Sequence, residues 1–255
     1  MHFGKALIAQ QASLPESNES VGLVFNKLYA DFVEAIDAND NGIAAYDPDA
    51  LGQAGIEKRF KDGGVTIASV VNDMNYPAPD DEAAGVDEDG LFAQASRFIG
   101  SVFARKLRHV VASWLPARET VKNAYEDRKS VHPSGRIMVL PQGGVPWKEH
   151  LYNFEKEARA ADSDQAEVFY VLYPESAAEG AKWRVQAVSV SEGSFVSRKP
   201  LPEKWRGVRD ADLDGVLAEE GEGIPEGAVF VHASGFIGGH KTREGAYAMA
   251  VKGFT

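Results

Sequence analysis

The stretch VFVHASGFIGGHKTREGAYAMA, from Val229 to Ala250, decides how the C-terminal part of the chain is read. Val229, Phe230 and Val231 favour a strand. Gly238-Gly239-His240 follows, and from Lys241 onward the composition suits a helix. Strand, glycine turn and helix start, in that order, aim free backbone N–H groups and the positive end of a helix dipole at an anion. Adjacent glycines let a backbone approach a ligand closely, and His240, Lys241 and Arg243 add donors suited to a phosphate. The commoner reading of so short a motif is a Gly-rich turn with its charges in water. His232, in the strand ahead of the glycines, either faces the same cleft or serves as a satisfied core histidine.

Working outward, the chain has two halves. In the first, Val21, Phe25, Leu28, Phe32 and Ile36 recur at three- and four-residue spacing, joined by Val24, Tyr29 and Val33. This predicts a helix from Gly22 to about Ala38 with a wide apolar stripe. A second helix is expected from Leu91 through Trp114, interrupted at Pro116 and resuming through Tyr125. His132-Pro133-Ser134-Gly135 marks a turn and a boundary. After it Arg136–Leu140, Val168–Tyr173, Trp183–Val190 and Ala228–His232 read as strands, Pro200–Arg209 as a loop and Thr242–Val251 as a closing helix. The expected class is α/β (α+β), a mainly helical part over residues 1–130 followed by a mixed-sheet part over 131–255.

Composition narrows the chemistry. The 255 residues carry 44% hydrophobic and 25% charged side chains, ordinary for a globular protein. With no cysteine, disulfides, thiolate metal sites and cysteine nucleophiles are excluded, so any metal must be held by His, Asp or Glu. No run reaches membrane-spanning length, and the first residues lack a signal-peptide pattern. The net charge is −11 and unevenly placed. Asn72–Gly90 holds seven acids and no base, which predicts an exposed loop. Arg97–Lys129 holds eight bases against three acids. Its cationic helix face could track a phosphate backbone, although a solvated face is the commoner explanation.

DFVEAIDANDNGIAAY puts Asp37 and Asp40 at a helix C-terminus, with Asn41-Gly42 as the stop. Asp40 follows Ile36 by four residues and Phe32 by eight, so it extends the buried seam. A carboxylate there is disfavoured by the helix dipole and by desolvation. A divalent cation is one compensation, and a local cap is the commoner one. DANDNG is not a calcium loop, because the twelfth position lacks its Glu. Among the other histidines, His150 beside Trp147 and Tyr152 is expected to be packed, and His109 to face solvent. Trp205 is expected to anchor a loop, with Arg206 and Arg209 as possible phosphate contacts.

These motifs together carry a resemblance. VHASGFIGGHKTREGAYAMA, FVEAIDANDNGI, SWLPAR (Ser113–Arg118), PWKEHLY (Pro146–Tyr152) and LPEKWRG (Leu201–Gly207), with His2-Phe3-Gly4-Lys5 at the start, resemble the melanocyte-proliferating-gene (Myg) family. That family is similar to DHH-type phosphoesterases. The resemblance implies the C-terminal part of a DHH-like catalytic domain, then an accessory domain that grips substrate through Gly238, Gly239 and His240. It implies a manganese- or magnesium-dependent 3′–5′ RNA exonuclease, with Asp40, or failing it Asp37, as the last acidic ligand. RNA or a nucleotide is the implied partner, and the implied location is mitochondrial or nuclear, with the cytoplasm as the alternative since no presequence is seen.

The family's earlier motifs, a His-x-Gly-x-Phe-His-x-Asp-Glu segment, an isolated Asp and Asp-His-His, do not occur here. The expectation is therefore an N-terminally truncated catalytic domain with no complete catalytic set. It would be completed by a separate N-terminal half or an oligomer, or persist as a non-catalytic RNA-binding remnant. The Gly22–Ala38 stripe would then lack its sheet and stay exposed.

Overall fold

The structure, a computed structural model, describes residues 2–57, 65–76, 78–85, 87–219 and 223–254. It divides into two compact units, Met1–Leu115 and Pro116–Thr255.

The first unit is helical. It contains α1 (His2–Ala12), α2 (Glu19–Leu28), α3 (Glu34–Asp40), α4 (Pro48–Gln53), α5 (Ile67–Met74), α6 (Pro79–Ala83) and α7 (Glu88–His109). Capping fixes the starts: Asn18 accepts the Ser20 N–H ahead of α2, and Asp87 that of Gly90 ahead of α7. Acids in the first turn of α7 (Glu88, Asp89) and bases in its last (Lys106, Arg108, His109) complement the helix dipole. The core joins Ile8 and Ala9 of α1, Val21, Val24 and Leu28 of α2, and Leu107, Val110 and Trp114. Beside it Asp31 bridges Lys27 at 3.0 Å and Lys106 at 2.9 Å. Partial burial pushes the Asp31 pKa up, but the hydrogen bonds and charges of Lys106 and Lys27 outweigh it and hold the carboxyl below its usual value.

Three expectations change here. The Gly22–Ala38 stripe is bare only in part: Val21, Val24 and Leu28 at its α2 end are buried within the unit, whereas Tyr29 and Val33 are exposed. Asp40, expected on the buried seam, is exposed. The cause is a π-helical turn at Tyr29–Val33, where bonding widens to i→i+5. One extra residue turns every later side chain by about 100° around the axis, so the spacing that held to Leu28 fails past Val33. The acidic stretch is exposed as expected, yet it is not all loop: it carries α6 and the first turn of α7, with Pro77 and Val86 outside the described residues.

The second unit begins at Pro116, within α8 (Leu115–Glu126). The helix runs without a break from Glu88 to Glu126, so the expected interruption at Pro116 does not occur; Pro116 has no N–H to donate, and the widened turn just ahead of it accommodates the loss. Bonding widens just before it, at Val110–Trp114. Then come α9 (Arg128–Val131), β1 (Ile137–Val139), α10 (Lys148–Ala161), β2 (Tyr170–Pro174), β3 (Trp183–Ala187), α11 (Asp210–Glu219), β4 (Ala228–Val231), β5 (Ile237–His240) and α12 (Arg243–Phe254). The sheet order is β1-β2-β3-β5-β4, parallel at β1–β2, which α10 connects, and antiparallel elsewhere.

Period-two alternation sorts the strand side chains. Ile137, Tyr170, Leu172, Val185 and Ala187 pack under α11 and α12 with Leu213, Leu217, Ala246 and Met249. Met138, Val171 and Val188 pack with Val121, Tyr125, Leu151 and Phe154 of α8 and α10. The start of β4 is pinned from α11, where the Asp214 carboxylate accepts the N–H groups of Gly227 and Ala228 at 3.0 and 2.8 Å. Asp214→Ala should cost about 2 kcal/mol by leaving both donors without this partner, which denaturant titration would read; an unchanged midpoint would contradict it.

Candidate functional site

The Gly-Gly-His segment is a strand, not a turn. Gly238, Gly239 and His240 lie in β5, inside the sheet, paired with Val185, Arg184 and Trp183 on one side and Val231, Phe230 and Ala228 on the other. Their backbone groups face neighbouring strands instead of an open anion cradle. Each glycine is there for space. A Cβ on Gly238 would meet Leu201 Cδ1 at 3.0 Å and the Phe230 carbonyl at 3.1 Å. One on Gly239 would collide with the Arg184 guanidinium, which lies 4.8 Å from the Phe230 ring centroid and pairs with Glu175. Burial lowers the Arg184 pKa, and its enclosed Nη1 has no hydrogen-bond partner among the described residues.

His240 is fully buried. Its Nε2 faces the Pro225 carbonyl at 2.9 Å, so it must carry the proton; Nδ1 then accepts the Thr242 N–H at 2.9 Å. Thr242 in turn accepts the Gly245 N–H at 3.1 Å, capping α12. Gly227 and Gly245 leave room for the ring, and a Cβ on Gly245 would overlap it. The imidazole is a neutral structural bracket between β5, α12 and the Pro225 loop.

The residues after it are exposed. Lys241 donates its backbone N–H to the Gly227 carbonyl. Arg243, first in α12, lies 5.7 Å from the Trp183 ring centroid and faces a cleft. The cleft is two adjoining cavities of about 930 and about 620 Å³ that share Asp127, Val131, Val139 and Arg243. Val131, Val139 and Leu172 give it an apolar lining, Asn123 and Asp127 contribute polar groups, and Tyr247 and Lys252 of α12 complete a wall. Tyr247 is fixed by donating to the Val131 carbonyl at 3.1 Å. An apolar lining with a few convergent polar groups is the general form of a small-molecule site. Sequence reasoning found Arg243 but took Trp183 only as a strand residue and missed Asp127 and Asn123. An aromatic at the half-buried start of a strand was the one available signal.

His232 does not line this cleft. It is exposed, its Nδ1 accepts the Ser234 N–H at 3.2 Å, and its ring packs edge-on to Phe236. His132-Pro133-Ser134-Gly135 builds the same turn, with the glycine N–H on the histidine carbonyl at 2.8 Å in both. His150 is buried and His109 exposed, as expected, and Trp205 is fully buried.

Asp37 and Asp40 are both exposed. Asp37 accepts from Asn41 Nδ2 through its backbone carbonyl at 2.8 Å, with its carboxylate at 3.4 Å from the same nitrogen. Among the described residues no three or more His, Cys, Asp or Glu side chains are grouped so that they could hold a metal. The manganese or magnesium implied by resemblance therefore finds no fitting ligand set in them.

Residues 1–254 match the MYG1 exonuclease family profile, described as "Uncharacterised protein family (UPF0160)". The chain is 42% identical over 253 residues to the MYG1 exonuclease of Homo sapiens. It is 40% identical over 252 residues to a MYG1 protein of Caenorhabditis elegans, and 39% over 249 to one of Saccharomyces cerevisiae. These alignments cover 98% of this chain but 60%, 67% and 69% of the relatives. No solved structure matches it. Full-length family matching and identities near 40% to several separate relatives agree with the motifs: the chain belongs to the MYG1 exonuclease family.

Proposed function

We propose that the chain serves a metal-dependent phosphoesterase, a 3′–5′ RNA exonuclease, and that its second unit holds a nucleotide of the substrate. The observation that carries this is the Trp183–Arg243 cleft. Arg243 offers a planar fork of donors to a phosphate, and the Trp183 indole offers a face on which a base can stack. Asp127 and Asn123 line the cleft, an acceptor and a donor of the kinds a base edge requires, and the apolar lining displaces water. Lys241 adds positive charge beside the cleft, whereas Gly238, Gly239 and His240 act indirectly by shaping β5 and the start of α12.

Manganese or magnesium, for which the described residues supply no ligand set, enters this proposal only through the family resemblance. A mitochondrial or nuclear location and a role without membrane insertion belong to the same proposal; no helix among the described residues is long and apolar enough to cross a membrane. The exposed, locally bonded Asp37 favours a second reading, in which this chain binds RNA without cleaving it.

A 5′-labelled RNA oligonucleotide incubated with the chain and Mn²⁺ separates the two. Shortening from the 3′ end supports the exonuclease. Binding without turnover supports the second reading, and neither binding nor turnover contradicts both. Trp183→Ala should weaken nucleotide binding about tenfold or more, the worth of one stacked base.

A further inference from the structure

We propose that the exposed face of α7 is a track for the sugar-phosphate backbone of single-stranded RNA. From Leu91 to Arg118 the chain has no Asp or Glu, although its net charge is −11. Within α7, Arg97, Arg105 and Arg108 are exposed, and among the described residues none of the three has an ion-pair partner. At 100° per residue they fall within an arc of about 80°, opposite the buried Ala95 and Leu107. They span about 16 Å of helix axis.

The residue between them on that arc is Ser101, small and exposed, so it does not hold a strand away from the three guanidinium groups. Arginine suits phosphate oxygens through its fixed fork of donors. An anionic membrane is the less fitting partner, because a helix lying in a bilayer interface needs bulky apolar residues on its inserting face. None interrupts this arc. The track is a local exception to an acidic surface, which would concentrate a polyanion there and repel it elsewhere.

This inference rests on the RNA reading of the family, and its test keeps the two apart. Binding of a labelled 12-nucleotide single-stranded RNA is measured against salt for the whole chain and for the triple variant Arg97→Gln, Arg105→Gln, Arg108→Gln. Lys129→Gln, Lys156→Gln, Lys199→Gln is the charge-matched control, and circular dichroism verifies folding. Each phosphate contact contributes about 0.7 to the slope of log K against log salt. The α7 variant should lose about two units of slope and at least tenfold in affinity at low salt, with the control close to wild type. AMP, too short to follow the helix, should bind wild type and variant alike.

Equal slopes for the α7 variant and wild type overturn the track while leaving the RNA reading intact. RNA binding absent from wild type overturns both. Loss in the α7 variant of binding to phosphatidylserine vesicles, with RNA binding unchanged, assigns the face to a membrane instead and overturns the proposal.

Discussion

Gly245→Val should destabilise the second unit by about 3 kcal/mol or more, lowering its thermal midpoint by about 6–12 °C. The backbone at Gly245 is ordinary helix, so the cost is one of space. A Cβ there would overlap Cε1, Nδ1 and Nε2 of His240 together, and no small ring rotation clears all three. Displacing the ring breaks its bonds to the Pro225 carbonyl and the Thr242 N–H inside a closed core. Replacing a helical glycine by alanine gains about 1 kcal/mol of helix propensity, so even Gly245→Ala should be destabilising overall, but less so. In a His240→Ala background the same alanine should be nearly neutral or stabilising. That coupling, read from a double-mutant cycle, separates steric conflict with His240 from a general effect on α12. A Gly245→Ala protein with an unchanged midpoint would contradict the bracket.

Arg198→Met should cost about 3–5 kcal/mol. Arg198 and Glu155 form a two-pronged ion pair, 2.8 and 2.7 Å, with side chains only 6% and 3% exposed. The guanidinium also donates to the carbonyls of Ser189 and Val168, and Glu155 accepts the Val168 N–H at 2.9 Å. Burial pushes the Arg198 pKa down, but the hydrogen bond and charge of Glu155 outweigh it and hold it above the usual value, so the arginine stays charged wherever the protein is folded. Removing it leaves a buried carboxylate with Arg159 at 3.9 Å as its remaining cation among the described residues, which moderates the loss without abolishing it. The paired change Arg198→Met, Glu155→Leu should recover much of the stability, because the desolvation cost of both charges goes with them. Chemical denaturation of the three variants checks this; an additive double variant would contradict it.

How far the sequence could be read follows from where local rules hold. Four strands and the closing helix were legible because alternation and helical spacing express one buried face directly. β5 was not, because Ile237-Gly238-Gly239-His240 has almost no β-propensity. It is a strand through tertiary fit, its glycines making room for Leu201 and Arg184. Asp40 was misplaced by a π-turn, which spacing arguments cannot anticipate. α10 and α11 were missed. α10 is predominantly polar, and its buried set of His150, Leu151, Phe154 and Glu155 includes two titratable residues that break the apolar pattern; α11 is short, with Leu213 and Leu217 as its buried residues. Of the candidate site, Arg243 was legible as a cation after a glycine pair. Its partner Trp183 is sixty residues earlier and meets it only because β3 and β5 are neighbours. His240 was recognised as important, and its importance lies in holding the start of α12 from the inside.

The proposed nucleotide site is the cleft headed by Trp183 and Arg243, with the Gly-Gly-His strand as its scaffold. Calorimetric titration of AMP into the wild-type chain, Arg243→Ala and His232→Ala tests it most directly. Binding should weaken at least tenfold in Arg243→Ala and be unchanged in His232→Ala. Equal affinity for wild type and Arg243→Ala, or loss confined to His232→Ala, would contradict it.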